Sequence, residues 1–445
     1  MPSSDASAPV VPDAIYAETV AALFARQPSR MVPDLERIQT LSELLGRPDQ
    51  AYPSIHITGT NGKTSISALI TKLLSALGLT AGTYTSPHLQ DVRERIRIAG
   101  EPISQAAFVN ALDELAPYLG EVDARHPERL TFFEVLTALA FSSFADAPVD
   151  VGVFEVGMGG TWDATNLVRG DVAVIGRVAK DHPELGSTPV EIAHEKAGII
   201  KEGSVVVSAT QLPEVADIIA ARASDVGARL VVVGRDFGVD RSRAVGGQLL
   251  ELRGVADHHS DVLLPLHGAH QAENAAVALA AVEAFLGFAG GLDTQVVQEA
   301  FAAVHVPGRL EVIPRLKQAP VLLDGAHNPA GIGAFAKAIV DEFGFRNRVV
   351  ILGVLGDKDI DSMVGSVLGA ADHLIITQPP SARAATTEQV AKIARAMGAV
   401  VEEAPDVQTA LERATGVAGE EDVIAVTGSL YTVGAARDAL GLDVA

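Results

Sequence analysis

The chain has 445 residues, of which 48% are hydrophobic and 4% aromatic, and its formal net charge at pH 7 is -22. This length predicts about two or three domains, with enough aliphatic residues to fill two cores. The acidic balance excludes nucleic acid as the default partner, because a phosphate backbone requires a basic face. Since the chain has no cysteine, disulfides, zinc–thiolate sites and cysteine nucleophiles are excluded as well.

The amino terminus predicts neither a signal peptide nor a membrane anchor. Residues 1–14 are rich in Ser, Pro and Ala and lack a basic segment followed by an apolar run, so we expect a disordered lead-in. No uninterrupted apolar stretch reaches the roughly 18 residues of a membrane helix. We therefore expect a cytoplasmic protein that binds no membrane. The first helix is predicted over residues 32–45, where Leu35, Ile38 and Leu41 recur at helical spacing.

The stretch from Ile55 to Ser65 has the pattern of a phosphate-binding loop. Ile55 and Ile57 predict the end of a strand, glycines allow a sharp turn, and apolar residues recur at helical spacing from Thr64. Backbone N–H groups and the positive end of the helix dipole then face the phosphates. Lys63 adds a point charge, and a hydroxyl of Thr64 or Ser65 can reach Mg²⁺. The predicted ATP contacts of this loop are Gly59, Thr60, Asn61, Gly62, Lys63, Thr64 and Ser65.

Beyond this loop, strands that are apolar on both faces alternate with helices, which indicates a parallel sheet covered on both sides. The predicted elements are helices from residue 104 and over 130–144, and strands at 149–156, 172–178, 205–207 and 230–233. Ligands of such sheets bind at the carboxyl ends of the strands. The phosphate-binding loop, Glu155 and the pair Asp181 and His182 all follow strand ends, so we expect them to lie together.

The remaining chain predicts a second unit of alternating strands and helices. Short β segments are expected over 240–264 and an Ala-rich helix over 269–288, and Pro and Gly at 306–309 indicate a linker. Strands are then predicted at 321–323, 349–354, 374–377, 400–402 and 423–427. The fold class is therefore α/β: a P-loop-type ATPase domain with a mostly parallel sheet over 15–305, and a Rossmann-like ligase domain over 306–445.

Nine motifs together resemble the Mur-ligase superfamily and, within it, the folylpolyglutamate synthase/dihydrofolate synthase family. In family order they are GTNGK (59–63), TSPHL (85–89), ERI (94–96), EVGMGG (155–160), DATN (163–166), DH (181–182), EKAGIIK (195–201), PGRLE (307–311) and DGAHNP (324–329). The resemblance implies an ATP-dependent amide ligase that converts a carboxylate to an acyl phosphate, which an amine then attacks. The implied substrates are ATP, L-glutamate and a folate or dihydropteroate, and we expect a monomer.

The resemblance also implies Mg²⁺, with two ions expected beside the co-substrate ATP, and Ser86, Glu155 and His182 as ligands. Chemistry alone favours Glu155, because Mg²⁺ prefers oxygen ligands, whereas a histidine ligand is not expected from hardness. Two of these residues have a simpler alternative role: His182 as a hydrogen-bonded histidine at a strand end, and Ser86 as a turn residue. Lys196 occupies the position of a lysine that several members carbamylate, which allows a second Mg²⁺; an unmodified lysine is the alternative. Lys63, Lys196 and His182 are the expected catalytic residues.

Further site residues are implied by position in the family motifs. The resemblance assigns Asn274 to the adenine, Arg309 and Asp324 to the ATP phosphate and ribose, and His327 and Ser429 to the incoming glutamate. Two of these have simpler alternatives: Asn274 as an exposed polar residue on an amphipathic helix, and Ser429 as a helix N-cap.

The expected contacts to the folate are less specific. Arg93 and Arg95 lie where the family has a folate-site loop, and they fit either a role in steering carboxylates or a solvated charged loop. Phe132 or Phe133 is expected to stack on the pterin ring, with core packing expected of at least one of them. The chain departs from the family at Thr64, where many members have glycine, and at a second position, where Thr161 replaces a frequent arginine.

Two other functions compete with this interpretation. A Mur-type ligase of a UDP-muramyl peptide usually carries a UDP-binding domain before its phosphate-binding loop, and only residues 1–58 precede Gly59, which favours the folate branch. A non-enzymatic, ATP-binding switch protein is more distant, because it has no need of Glu155, His182 and Lys196 together.

Overall fold

The computed structural model describes residues 11–28, 32–180 and 183–444. Before residue 303 the helices and strands are α1 (Asp13–Phe24), α2 (Glu36–Leu44), β1 (Ser54–Thr58), α3 (Lys63–Ala76), β2 (Ala81–Tyr84), β3 (Ile96–Ile98), β4 (Glu101–Pro102), α4 (Gln105–Arg125), α5 (Phe132–Asp146), β5 (Val151–Glu155), β6 (Val172–Ile175), α6 (Pro189–Lys196), β7 (Val205–Ser208), α7 (Pro213–Asp225), β8 (Arg229–Val232), β9 (Gly238–Ala244), β10 (Gln248–Arg253), β11 (His258–Leu264), α8 (Ala269–Phe285) and α9 (Thr294–Ala302). After it come β12 (Glu311–Ile313), β13 (Val321–Leu323), α10 (Pro329–Asp341), β14 (Arg348–Leu352), α11 (Ile360–Leu368), β15 (His373–Thr377), α12 (Thr387–Ala396), β16 (Val401–Ala404), α13 (Val407–Val417), β17 (Val423–Thr427) and α14 (Leu430–Ala439).

Across the described ranges the strands form three sheets, two of them mostly parallel. The first has the order β4-β3-β2-β5-β1-β6-β7-β8, with β3 and β4 as an antiparallel edge. The second, β11-β10-β9, is antiparallel. The third has the order β12-β13-β17-β14-β15-β16 and is parallel except at β12. This architecture confirms the predicted α/β class with a mostly parallel sheet.

Strand β1 lies at the centre of the first sheet and delivers the phosphate-binding loop to its carboxyl edge. Its five residues are all buried, as expected of a strand covered on both faces. Ile57 pairs with Glu155 of β5, and Thr58 pairs with Ile175 of β6. The loop after β1 and the acid that ends β5 are therefore neighbours at one edge of the sheet, which is where parallel sheets bind ligands.

Hydrophobic cores cover both faces of each large sheet. On one face of the first sheet, α3 and the Ala-rich α8 pack closely, because small alanine side chains let the helices approach. The other face is covered by α4 and α5, whose aromatic residues pack around Phe154. The third sheet has its own core on either face. We find no helix in the described ranges that is both long and apolar enough to cross a bilayer.

Several element boundaries differ from the predictions. The helix predicted over 32–45 begins at Glu36, after the N-cap Leu35, and the Glu36 N–H donates to the Asp34 carboxylate at 2.7 Å. The lead-in predicted over 1–14 overlaps α1, which begins at Asp13, and residues 1–10 lie outside the described part. The strand predicted over 172–178 ends at Ile175.

The segment around Arg93 and Arg95 is more ordered than the predicted polar loop. Val92–Arg95 is one turn of 3₁₀-helix whose N-cap is Asp91, and β3 follows directly. Glu94 completes a capping box by accepting a hydrogen bond from the Asp91 N–H at 2.8 Å. Sequence periodicity did not predict β2, β3, β4 or β12, because these strands are too short to show alternation and lack the continuous apolar run of equally short strands such as β13.

A buried ion pair stabilises the segment that connects the two large sheets, and its hydrogen-bond partners come from both units. Glu311, 8% exposed, pairs with Arg437 and accepts a hydrogen bond from the Gly308 N–H at 2.8 Å. Arg437 also donates to the Gln90 side chain at 2.7 Å. Burial alone raises the pKa of Glu311, but hydrogen bonds from His305, Arg437 and Gly308 outweigh it and lower the pKa to about 2.

Replacing Glu311 by Gln is expected to lower the free energy of unfolding at pH 7 by about 3 kcal/mol, because Arg437 is left buried without its counter-charge. The lowered pKa means that this stabilisation is present above the ordinary glutamate value of 4.5 and is lost as the pH falls towards about 2. Denaturant unfolding at pH 7 and pH 3 measures both effects. Glu421→Gln is the control, since Glu421 pairs with Arg346 at the exposed surface; equal losses in the two variants would contradict the prediction.

Candidate active site

The phosphate-binding loop depends on two glycines. Gly59 has φ +156° and lies so close to the next strand that an added Cβ would be 3.0 Å from the Gly176 Cα. Gly62 has φ +87°, and an added Cβ would be 2.8 Å from the Asn274 Oδ1. Asn274, on α8, therefore lies directly against this loop rather than in solvent, and its amide donates to Gln271 at 2.9 Å.

Two lysines converge on one carbonyl of this loop. The Nζ atoms of Lys63 and Lys196 each donate to the Gly59 carbonyl oxygen at 3.0 Å. Lys196 is 2% exposed, and it reaches the loop from the end of α6. The structure thus brings together the two lysines that were predicted from separate motifs, and it concentrates positive charge where a nucleotide phosphate is expected.

Glu155 is the buried acid of the site and is 1% exposed. The Thr64 hydroxyl lies 3.2 and 3.1 Å from its two carboxylate oxygens, and the Ser86 backbone N–H also donates to it. Burial raises the pKa of Glu155, and the charge of Lys63, the hydrogen bond from Thr64 and the charge of Arg309 act against this shift. Thr64, the departure from the family's glycine, is therefore part of the site.

The donor set around Glu155 fits a magnesium ion. A buried carboxylate, the hydroxyl of Thr64 and Ser86 next to it are the oxygen donors that Mg²⁺ prefers. No group of three or more His, Asp or Glu side chains that could hold a metal occurs in ranges 11–28, 32–180 and 183–444. The third predicted ligand, His182, lies with Asp181 outside the described residues, so its role stays a prediction.

A cavity of about 350 Å³ opens beside Ser86, between the two large sheets. Its lining is mixed, with apolar and aromatic side chains and a few charged groups, as in sites for small organic molecules. The lining residues are Pro28, Val32, Asp34, Arg37, Ser86, Pro87, Arg95, Thr131, Phe133, Glu134, Gly157, Met158, Trp162, Asp163, Ala164, His327, Leu355, Lys358, Arg383, Ser429, Leu430 and Tyr431. The structure therefore brings five predicted site residues together here: Ser86, Arg95, Phe133, His327 and Ser429.

The two arginines predicted at the folate site have different surroundings. Arg95 is 7% exposed, donates to His88 Nδ1 at 2.9 Å and lies 5.1 Å from the centre of the Phe132 ring. Burial lowers the pKa of Arg95, as expected for a cation removed from water. Arg93 lies outside the cavity lining and pairs with Asp91 at 3.0 Å.

Phe132 and Phe133 also divide their roles. Phe132 stacks on Phe24, with ring centres 4.9 Å apart, and belongs to the core beside α5. Phe133 lines the cavity and packs against Gly157, whose added Cβ would be 2.5 Å from the ring. Only Phe133 is therefore placed to meet a ligand, and one of the pair packs in the core as expected.

The second unit contributes one wall of the site. Ser429 accepts a hydrogen bond from the Thr432 N–H at 3.1 Å, so it is both the N-cap of α14 and a cavity residue. Asp324 accepts hydrogen bonds from two backbone N–H groups at 3.0 Å, and burial raises the pKa of Asp324 against the charge of Arg309. An added Cβ on Gly325 would be 2.6 Å from Arg309 Nη1, which places this guanidinium over that turn.

Sequence reasoning missed several cavity residues. Arg37 of α2 donates to Glu134 at 3.1 Å, and both line the cavity. The missed residues are Asp34, Arg37, Trp162, Asp163, Lys358 and Arg383. A signal existed for Asp163, which opens a family motif, and for the Arg37 partner Glu134, which is a charge in an otherwise apolar run. No local pattern pointed to the others, because they come from distant segments.

A direct hydrogen bond links the phosphate-binding loop to the second unit. The Asn328 Nδ2 donates to the Asn61 Oδ1 at 3.0 Å, while the Asn328 Oδ1 accepts from the Gly331 N–H at 2.8 Å and caps α10. The two ends of this amide therefore have separate functions, one towards the loop and one towards the helix.

Replacing Asn328 by Asp is expected to raise the KM for ATP by about ten-fold, the cost of one lost hydrogen bond of about 1.4 kcal/mol. The aspartate keeps the helix cap but has no N–H to donate to Asn61. Steady-state kinetics at varied ATP measure the effect. Asp359→Asn, which changes the capping residue of α11 in the same unit, is the control; an unchanged KM for ATP in Asn328→Asp would contradict the prediction.

Comparisons with known proteins agree with this geometry. The chain matches the Mur ligase middle domain over residues 57–282 and the Mur ligase glutamate ligase domain over 308–430. A dihydrofolate synthase/folylpolyglutamate synthase of Mycobacterium tuberculosis is 44% identical over 93% of this chain and 91% of its own length. The relative of the same description in Escherichia coli is 30% identical over 90% of this chain and 89% of its own length.

Solved structures extend the likeness to the whole architecture. Mycobacterium tuberculosis folylpolyglutamate synthase complexed with ADP has a TM-score of 0.93 at 41% identity, and the match covers 97% of this chain and 100% of that one. Escherichia coli FolC in complex with DHPP and ADP has a TM-score of 0.85 at 27% identity, with 99% of both chains covered.

Proposed function

This chain belongs to the folylpolyglutamate synthase/dihydrofolate synthase family of Mur ligases, and from that premise we propose that it performs both reactions of the family. It is an ATP-dependent ligase that joins L-glutamate to the carboxylate of a folate, which is called the acid substrate below. The proposal is that dihydropteroate and a reduced folate are both accepted, with Mg²⁺ as the metal. The relatives favour this over the synthesis of a muramyl peptide or a nucleotide switch. The cytoplasmic location and the monomeric state stay predictions.

One observation carries the proposal: the phosphate-binding loop and the cavity share a wall. Glu155 accepts hydrogen bonds from Thr64 of the loop and from the N–H of Ser86, and Ser86 lines the cavity. An acid in the cavity and the terminal phosphate of ATP can therefore meet at this wall. Such proximity is the main requirement for phosphorylating a carboxylate.

The phosphate-binding loop promotes phosphorylation of the acid substrate, because its residues bind the ATP phosphates and offset their negative charge. Lys63 and the N–H groups at the start of α3 hold the β- and γ-phosphates. Ser86, Glu155 and His182 would hold Mg²⁺, which supplies charge that offsets the repulsion between phosphate and carboxylate. Arg95, buried at the cavity wall, attracts the acid substrate. In-line transfer then converts this carboxylate to an acyl phosphate.

The second unit brings the amine to the acyl phosphate. His327 and Ser429, which line the cavity, are proposed to hold the incoming glutamate so that its amino group attacks the acyl carbon and phosphate leaves. Asn274 is proposed to contact the adenine, and Arg309 and Asp324 the phosphate and ribose. Because these contacts come from both units, closure between the units would assemble the site. Lys196, whose Nζ contacts the same carbonyl as Lys63, is proposed to add CO₂ at its neutral amine and, with loss of a proton, to become a carbamate.

The decisive experiment measures ADP release with ATP, glutamate and an acid, each omitted in turn, together with the mass of the product. We expect ADP release to require all three, and the product to gain one glutamate residue with dihydropteroate and with tetrahydrofolate alike. Release without an acid or without glutamate would contradict the ligase. If only one of the two acids gained a glutamate residue, the dual activity would be contradicted, but the assignment as a ligase would not.

A further inference from the structure

A buried histidine on β1 reaches the cavity through a threonine. His56 is 0% exposed, and its Nε2 lies 2.9 Å from the Thr165 Oγ1. The Thr165 hydroxyl in turn hydrogen-bonds to the Asp163 Oδ1, and Asp163 lines the cavity. None of the predicted contacts to ATP, metal or glutamate involves His56 or Thr165, so this chain of three side chains is unassigned.

The direction of the hydrogen bonds follows from the acceptors. Asp163 Oδ1 accepts from the Thr165 N–H at 3.0 Å and Oδ2 from the Met158 N–H at 2.9 Å, so both oxygens act as acceptors. Burial raises the pKa of Asp163, and these hydrogen bonds act against the shift. With the carboxylate ionised, Thr165 donates its single hydroxyl proton to Asp163 and accepts from His56. The imidazole therefore carries its proton on Nε2.

The other ring nitrogen agrees with this assignment. His56 Nδ1 is buried and has no hydrogen-bond partner in the part of the chain that the structure describes. A bare lone pair is the less costly group to bury unpaired, whereas an N–H donor is rarely left so. Burial and the charge of Lys201 lower the pKa of His56 well below its ordinary value, which keeps the ring neutral.

We propose that His56 is a positioning residue: through Thr165 it holds Asp163 in one orientation at the cavity wall and so sets the affinity for the acid substrate. Asp163 accepts hydrogen bonds from the backbone N–H groups of Met158 and Gly157, which also line the cavity, so its orientation fixes this part of the wall. A wall group that rotates freely loses such contacts. The inference rests on the proposed function, because it requires the folate acid to lie in this cavity.

The chain contains a matched control for a histidine with a purely structural role. His259 is 1% exposed, its Nδ1 lies 3.1 Å from the Thr294 Oγ1, and its Nε2 also lacks a partner among the described residues. Neither His259 nor Thr294 lines the cavity. Substitution of either histidine therefore removes a histidine–threonine hydrogen bond, but only His56 is connected to Asp163.

The test compares Thr165→Val, Thr165→Ser, His56→Leu and His259→Leu in steady-state kinetics with dihydropteroate, ATP and glutamate. We expect Thr165→Val and His56→Leu to raise the KM for dihydropteroate about ten-fold, with kcat and the KM for ATP within about two-fold of wild type, as for a lost binding contact. Thr165→Ser keeps the hydroxyl and is expected to retain the wild-type KM, as is His259→Leu. Where His56→Leu does not fold, the two Thr165 variants decide.

Direct binding supplies a second readout. Trp162 is the single tryptophan of the chain and lines the cavity, so its fluorescence reports occupancy by dihydropteroate. The Kd from this titration is expected to rise with the KM in Thr165→Val and in His56→Leu, and to keep its wild-type value in Thr165→Ser and His259→Leu. The inference would be overturned if Thr165→Val kept the wild-type KM and Kd, or if it lost kcat alone. The proposed function would still stand in that case, because it depends on turnover by the wild-type protein. A wild-type protein without acid-dependent ADP release would overturn both.

Discussion

Replacement of Lys63 by Ala is expected to lower glutamate-dependent ADP release by about 10³-fold, the usual cost of one charge-stabilising donor in a reaction of this kind. The fold is expected to persist, since the Gly59 carbonyl that accepts a hydrogen bond from Lys63 also accepts one from Lys196 at 3.0 Å. Removing Lys63 therefore leaves no buried carbonyl unpaired. ADP release with dihydropteroate and glutamate measures the loss, and thermal unfolding checks the fold.

Lys72→Ala is the matched control for this variant. Lys72 lies on the same helix α3 but is exposed on its outer face. Its removal is expected to leave ADP release within about two-fold of wild type, because a surface charge away from the site contributes little. Near-normal turnover in Lys63→Ala would remove the phosphate-binding loop from the mechanism.

The second large effect is expected for Glu155→Gln, which keeps the shape of the side chain and removes its charge. Activity is expected to fall by about 10³-fold or more, because the amide is a poor Mg²⁺ ligand and no longer offsets Lys63. Stability is expected to hold or rise. Since burial raises the pKa of Glu155, the ionised carboxylate destabilises the fold, and this cost grows as the pH rises through the raised pKa. Activity is measured by ADP release and stability by denaturant unfolding at pH 5 and pH 8.

Glu283→Gln separates loss of function from loss of a buried acid. Glu283, on α8, is 2% exposed, accepts hydrogen bonds from the Val255 and Ala256 N–H groups, and has a pKa that burial raises. This variant is expected to keep its activity. If Glu155→Gln retained wild-type turnover, or lost stability as well as activity, Glu155 would be a structural acid.

The residues whose positions could be predicted from the sequence are those whose motif occupies consecutive positions. Strand, glycine turn and helix around Lys63 appear in one stretch, so local rules determine their geometry. Glu155 follows a strand that is apolar on both faces, and a parallel sheet brings every such strand end to one edge. Their proximity therefore followed from the alternation of elements, before any side-chain contact was known.

The residues that were missed depend on contacts between distant segments. Asp34, Arg37, Lys358 and Arg383 line the cavity from α2 and from the second unit, and each looks locally like an ordinary surface charge. The same holds for the division between Phe132 and Phe133, which are adjacent aromatics of one helix start. Only packing against Phe24 on one side and Gly157 on the other separates the core residue from the cavity residue.

The sequence by itself determined the α/β class and the phosphate-binding loop, because these depend on periodicity and on residues a few positions apart, and the resemblance of nine motifs to a known family implied the reaction. The tertiary structure alone decided which side chains share the cavity, that Lys63 and Lys196 converge on one carbonyl, and that His56 reaches Asp163 through Thr165. The physical reason is that hydrogen bonding and burial act over a few ångströms in space, and residues far apart in the chain become neighbours only when the sheets and helices have packed.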